Sequence, residues 1–341
     1  MDDIVLSVQD VSIVYHAPRG TVKATNNVSF DLREGESLAL IGESGSGKTT
    51  VSLSFIQMLP SAAEITGGKV LYTRNDKTES VFEFSTERVR DFRWHDCAMV
   101  FQGAQNAFNP VLKVKEQFLD TAKAHGWRNK REVLDRALEL LRLVRLDPER
   151  TLESYPHELS GGMKQRTLLA LGVLLDPKVV ILDEPTTALD ILTQRAIIDV
   201  LKEMQSRLGF SIIFISHDLA LAAEMADRVA TMYAGEIVEL GTVDQIFYES
   251  LHPYTLGLLQ SVPRLSQGQD ELTSIRGNPP DLIDPPPGCK FHPRCPFATE
   301  RCSEEKPPLE SYGANHSAAC WHTEKVIEAR KGLWDRAEVG S

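Results

Sequence analysis

Through the first 40 residues apolar and polar side chains alternate, as in Val28-Ser29-Phe30-Asp31-Leu32, with turn formers at Asn26-Asn27 and Glu34-Gly35. A period of two puts successive side chains on opposite faces, so this stretch predicts an antiparallel β-layer. Leu38-Ala39-Leu40-Ile41 is continuously apolar, the pattern of a strand buried on both faces, and it runs into a glycine loop and then a helix expected to end near Pro60. Val179-Val180-Ile181-Leu182 and Ile212-Ile213-Phe214-Ile215 repeat the buried pattern, with helical spacing over Leu192–Leu208 between them. Strands alternating with helices imply a parallel α/β sheet. Helical spacing also covers Lys115–His125 and Lys130–Leu146, the second through Val133, Leu134, Ala137, Leu138, Leu141 and Val144 until Asp147-Pro148 stops it. These two predict an inserted helical subdomain. After about residue 250 the pattern changes: 11 of the 18 prolines lie there, so a separate C-terminal module is expected, with little helix until its end.

The length, 341 residues, suits one large domain with an appendage or two medium ones, and 42% hydrophobic with 25% charged residues is the balance of a folded globular chain. No apolar run reaches the ~18 residues of a bilayer span; the nearest, Leu168–Leu175, is closed by Asp176-Pro177. Met1-Asp2-Asp3 lacks the basic start and apolar stretch of a signal peptide, which places the chain in the cytoplasm. A net charge of -11 and the lack of a Lys/Arg block argue against nucleic acid as a partner. Five cysteines are not expected to pair in a reducing compartment, and four of them fall in the last 53 residues.

Gly42-Glu43-Ser44-Gly45-Ser46-Gly47-Lys48-Thr49 fits the phosphate-loop pattern. Its glycines let backbone N–H groups curl around phosphates, Lys48 reaches the terminal ones, Thr49 ligates magnesium, and Thr50 completes the set. The buried strand entering and the helix leaving would put a positive helix end on the anion. The loop alone says only that a nucleoside triphosphate binds. Downstream, the strand ending Leu182-Asp183-Glu184 brings two carboxylates to the carboxyl edge of the sheet. Asp183 is the candidate magnesium ligand and Glu184 the candidate base for hydrolysis of the γ-phosphate.

Leu159-Ser160-Gly161-Gly162-Met163-Lys164-Gln165-Arg166 resembles the signature of ABC-type ATPases. Ser160 makes a good N-cap and the two glycines open a helix, leaving N–H groups free for a phosphate. The resemblance, over roughly residues 4–250, implies an α/β fold: a P-loop NTPase (RecA-like) core with an antiparallel β subdomain, the helical subdomain at about 103–165, and a Pro/Cys-rich extension over 251–341. It further implies that Tyr15 stacks on adenine, that Gln102 contacts magnesium and the attacking water, that Asp190 communicates across a dimer, and that His217 senses the γ-phosphate. Each ATP would sit between the phosphate loop of one subunit and Ser160-Gly161-Gly162 of another. The implied partners are a second ATPase chain, more often different than identical, two membrane permease subunits and, indirectly, an extracytoplasmic solute-binding protein. The implied place is the cytoplasmic face of the membrane.

Cys289, Cys295, Cys302 and Cys320 have 5, 6 and 17 residues between them, and four soft ligands imply a metal centre. With His252-Pro253-Tyr254-Thr255 and Pro285-Pro286-Pro287-Gly288-Cys289, the segment resembles the C-terminal extension of oligopeptide and dipeptide importer ATPases. In that group the cysteines can hold a 4Fe-4S cluster; zinc is the alternative, though no CxxC is present. Cys97 is expected in the core, and His292, His316 and His322 match no ligand pattern. Peptides are the solute the group implies, with nickel, glycosides and oligosaccharides open. The run Gly103-Ala104-Gln105-Asn106-Ala107 after Gln102, where peptide importers often have Asp-Pro, keeps an oligosaccharide in view. A soluble ABC-type ATPase with a regulatory metal centre is the competing reading.

Overall fold

The computed structural model describes residues 4–101, 103, 107–187, 189–261 and 275–338, the last helix with side chains to 331. Strands β1 (Ile4–Ala17) and β2 (Gly20–Arg33) pair antiparallel from Ile4 opposite Arg33 to Ala17 opposite Gly20. The alternation works as expected: Leu6, Val8, Val28, Phe30 and Leu32 turn inward to one core. Two further strands, β4 (Ala63–Arg74) and β5 (Lys77–Ser80), complete a layer in the order β2-β1-β4-β5. Asn75 and Asp76, at φ 50° and 60°, make the tight reversal between them, a conformation these residues tolerate better than most.

The second sheet contains β3 (Ser37–Ile41), β6 (Cys97–Val100), β7 (Val179–Asp183), β8 (Ser211–Ser216), β9 (Arg228–Tyr233) and β10 (Glu236–Thr242). Two short C-terminal strands, β11 (Glu310–Ser311) and β12 (Ser317–Ala318), extend it, giving the order β11-β12-β10-β9-β3-β8-β7-β6. From β9 to β6 the neighbours run parallel. Every residue of β3, β7 and β8 is buried, the reason their sequence shows no alternation. The alternation survives in direction: Leu38, Leu40, Ile181 and Ile213 face the antiparallel layer, while Ala39, Ile41, Val180 and Ile212 face the helices.

Helix α1 (Lys48–Phe55) follows the glycine loop and stops short of Pro60, and α2 (Thr86–His95) precedes β6. The helical insertion holds α3 (Val114–Ala124), α4 (Lys130–Leu143) and α5 (Pro148–Glu153). Asp147-Pro148 does more than stop a helix. The Asp147 side chain accepts from Arg150 N at 3.0 Å and caps α5, while Arg145, at φ 58°, turns the chain between the two helices. Then come α6 (Gly161–Gly172), α7 (Ile191–Leu208) and α8 (Leu219–Met225).

Helix α9 (Val243–Tyr248) follows β10, and the C-terminal segment holds more helix than its prolines suggest: α10 (Pro253–Gln260) and α11 (Glu300–Glu304) precede the terminal α12 (Thr323–Glu338). It packs Tyr254 and Phe291 onto Tyr233, Ala234 and Val238 in a small core of its own. Glu239, fully buried on β10, anchors it by accepting from Leu251 N (2.6 Å), His252 N (3.1 Å) and the His316 ring (2.9 Å).

Candidate nucleotide site

The loop from Gly42 to Gly47 turns between β3 and α1. At Gly42 (φ 149°) a Cβ would lie 2.2 Å from the Met232 carbonyl, and at Gly47 (φ 102°) 2.5 Å from that of Ala24, so both positions need glycine for conformation and for space. Lys48 is buried beneath the loop, its ammonium donating to Gly42 O (2.8 Å), Glu43 O (2.9 Å) and Ser46 Oγ (3.2 Å). Burial lowers it to about 8, against the opposing pull of Glu184, Asp183 and Glu43. Ser44 and Gly45 lie exposed at the loop's crest.

Thr49 Oγ1 donates to Asp183 Oδ1 at 3.2 Å, so two hard oxygen ligands from the loop and from the end of β7 meet beside Lys48. Burial raises the Asp183 carboxyl above its ordinary value, opposed by the bond from Thr49. Glu184, next in sequence, sits at φ 46° with its N–H on Ile215 O (3.0 Å), and its carboxylate meets Thr187 Oγ1 (2.9 Å) and His217 Nδ1 (3.1 Å). Burial would raise this carboxyl, but the bonds from Thr187 and His217, with the charge of Lys48, hold it below its ordinary value. It is therefore ionised at neutral pH and able to take a proton.

Tyr15, near the end of β1 and paired with Val22 on one side and Ala63 on the other, places its hydroxyl 3.3 Å from Thr50 Oγ1, beside the loop. Ser160 caps α6 by accepting from Met163 N at 3.3 Å, and Asp190 caps α7 by accepting from Thr193 N (3.0 Å) and Thr193 Oγ1 (2.6 Å). These two caps meet at Thr193, since a Cβ on Gly162 would be 2.8 Å from its Cγ2. The expected residues thus form two clusters: Lys48, Thr49, Asp183, Glu184 and His217 around the loop, and Ser160, Gly161, Gly162 and Asp190 around Thr193. Gln102 lies outside the described residues.

Sequence reasoning missed two groups that hold the loop and one that holds Glu184. Glu43 N donates to Tyr254 Oη (2.8 Å), and the Glu43 carboxylate takes both arms of Arg294 (2.7 and 2.9 Å). Thr187 was missed as a partner of Glu184, though its place three residues on is the spacing of a local side-chain bond. Nothing in the local pattern around Tyr254 or Arg294 points to the loop. Further along the C-terminal segment, Cys289, Cys295, Cys302 and Cys320 line one small cavity with His252, His292 and His322. Burial raises the Cys295 thiol to about 11 and that of Cys320 to about 12. Cys97 is buried in the core, as expected.

Residues 25–187 match the ABC transporter family, and residues 238–302 match the oligopeptide/dipeptide transporter C-terminal region. The chain is 46% identical to a dipeptide transport ATP-binding protein of Caldanaerobacter subterraneus over 93% of its own length and 96% of that protein's. This chain is an ABC transporter ATP-binding subunit. A Bacillus subtilis protein described as a dipeptide transport ATP-binding protein is 43% identical, over 95% of this chain and 96% of its own. The solved ATP-binding cassette in a dimeric post-hydrolysis state with ADP and phosphate superposes with a TM-score of 0.60, at 26% identity, on 70% of this chain and 98% of that one.

As an ABC importer ATPase the subunit hydrolyses ATP to energise transport and works peripherally with membrane permease subunits. Among the described residues no helix is long and apolar enough to cross a membrane. The cysteines of this ABC subunit do not bear out the metal centre that their number suggests. Among the described residues no group of three or more His, Cys, Asp or Glu could hold a metal ion. Burial also raises the Cys289 thiol above its ordinary value.

Proposed function

We propose that this subunit binds ATP on residues 42–50 and hydrolyses it in a head-to-tail pair with a second, different cassette, at the cytoplasmic face of the membrane, to drive uptake of dipeptides or oligopeptides. The observation that carries the chemistry is the pair of hydrogen bonds, Thr49 to Asp183 and His217 to Glu184, that gathers these residues beside the buried Lys48. Loop N–H groups and Lys48 hold the β- and γ-phosphates, with adenine stacked on Tyr15. Thr49 and Asp183, with Gln102, would hold magnesium, whose charge would offset that building on the phosphates. Glu184 orients a water for in-line attack: its oxygen bonds to the γ-phosphorus, its proton passes to the carboxylate, and the bond to the bridging oxygen breaks with its electrons leaving on ADP. His217, fixed through Nδ1, addresses the γ-phosphate with its other nitrogen. Ser160, Gly161 and Gly162 offer the α6 N-terminus to the ATP of the second cassette, and Asp190, joined to them at Thr193, carries the state of one site to the other.

The solute rests on the C-terminal region and on relatives described as dipeptide transport proteins. For the four cysteines, their shared cavity supports a common role, a 4Fe-4S cluster or zinc among the candidates, and no step of hydrolysis is assigned to them. The test is to co-express the subunit with its permease and second ATPase and measure ATP turnover with binding proteins loaded with peptides or with oligosaccharides. Co-purification of a second ATPase chain and stimulation by peptide are expected. Stimulation by oligosaccharide alone, or a complex with no membrane subunit, overturns the reading.

A further inference from the structure

Arg294 reaches the phosphate loop from the C-terminal segment, immediately before Cys295. Its guanidinium grips the Glu43 carboxylate with both arms, at 2.7 and 2.9 Å, and its side chain is only 6% exposed, against 28% for Glu43. The fork is itself held in place: Nε donates to Arg276 O (2.9 Å), one arm also reaches Tyr233 Oη (3.3 Å), and the other reaches Gly277 O (3.3 Å). Nothing about the pair is a loose surface contact, and a planar guanidinium matched to a carboxylate at both oxygens fixes direction as well as distance.

Glu43 is the second residue of the loop. Its backbone carbonyl takes Lys48 Nζ at 2.9 Å, its N–H is tied to Tyr254 Oη at 2.8 Å, and its own carbonyl also takes Ser46 N at 3.2 Å. Three backbone groups of the phosphate cradle are therefore registered on one residue whose side chain Arg294 immobilises. Charge matters equally. The Glu43 carboxylate is near enough for its field to act on Lys48, so without a counter-charge it would repel the phosphates that Lys48 attracts.

We propose that Arg294 is a positioning residue for ATP: acting through Glu43, it holds the loop open in its binding shape and neutralises a carboxylate that would otherwise oppose the triphosphate. This rests on the reading of residues 42–50 as the ATP site. It gives the C-terminal segment a part in nucleotide binding, separate from any role of its thiols.

The test uses the full chain with a fluorescent ATP analogue and magnesium for binding, and its complex with the second ATPase chain for steady-state turnover. Arg294→Ala should weaken nucleotide binding about tenfold, the loss expected for a charge-assisted bidentate contact, and raise KM by a similar factor with kcat changed less than about twofold. Arg294→Ala combined with Glu43→Gln should bind more tightly than Arg294→Ala alone, because the uncompensated carboxylate is gone, while the missing pair keeps it weaker than the parent. Arg294→Lys, which keeps the charge and loses the fork, should fall between, and decides the matter if the alanine variant does not fold. Unchanged affinity in Arg294→Ala or Arg294→Lys overturns the proposal, and so does a double variant as weak as Arg294→Ala. Lys48→Ala separates the two levels: if it binds normally, the ATP-site reading fails; if it loses binding while Arg294→Ala does not, only the role of Arg294 fails.

Discussion

His217 Nδ1 lies 3.1 Å from Glu184 Oε1, joining two residues 33 apart in sequence. They meet because β7 and β8 are parallel neighbours, Asp183 opposite Ile215, so the residues that follow each strand emerge side by side at one edge of the sheet. Glu184 bends away at φ 46°, a conformation that costs about 1 kcal/mol or more, and its N–H on Ile215 O fixes it there. The carboxylate held there is near enough to Lys48 to feel its charge.

Glu184→Gln keeps the shape and loses the proton acceptor. ATP binding should be retained while turnover falls by about a hundredfold or more. Nucleotide titration with a phosphate-release assay checks this, and near-normal turnover would remove Glu184 from its role.

Lys48 gives the site a basic limit. With the ammonium at about 8 in the free protein, ATP affinity should hold steady below that pH and then fall toward tenfold per unit as the charge is lost. Stability moves the other way. The folded pKa lies below the ordinary 10.5, so between about 8 and 10.5 the unfolded chain holds the extra proton and this group's contribution to stability rises with pH. Nucleotide titrations from pH 7 to 9.5 on the parent and on Lys48→Met, which should lack the fall, test the sign.

The contact between Gly162 and Thr193 predicts a second-site rescue. In Gly162→Ala the new Cβ would meet Thr193 Cγ2 at 2.8 Å and push the caps of α6 and α7 apart. Turnover should drop about tenfold with the affinity of this subunit's own loop for ATP little changed, because the shift falls on the helix ends that face the second cassette's ATP and not on the phosphate loop. Adding Thr193→Ser removes the methyl but keeps the hydroxyl that donates to Asp190, and should restore most of the rate. Kinetics on the single and double variants decide it.

Glu239 is a stability prediction. Glu239→Ala would leave the buried N–H groups of Leu251 and His252 and the ring of His316 without their acceptor, a loss of about 3–5 kcal/mol. Urea unfolding should show it, and a change below about 1 kcal/mol would mean that water replaces the carboxylate.

Much of this subunit was legible in the chain because its rules are local. Alternation in β1 and β2, the unbroken apolar runs of β3, β7 and β8, and the cap at Ser160 follow from neighbours a few residues away. The loop residues, Asp183 and Glu184 were equally plain, because each must sit at the end of a buried strand for its chemistry. Asp147-Pro148 follows a local rule too: the stop signal for one helix is also the cap of the next. The tertiary structure decided what depends on distant segments meeting. It brought Arg294 onto Glu43, 251 residues away, and gathered three elements on the buried charge of Glu239. It also brought four cysteines, spread along the C-terminal segment, to the lining of one cavity, which spacing alone could not fix. An ion pair between remote residues leaves no period or motif in the chain, since each partner only has to be charged, and folding supplies the distance.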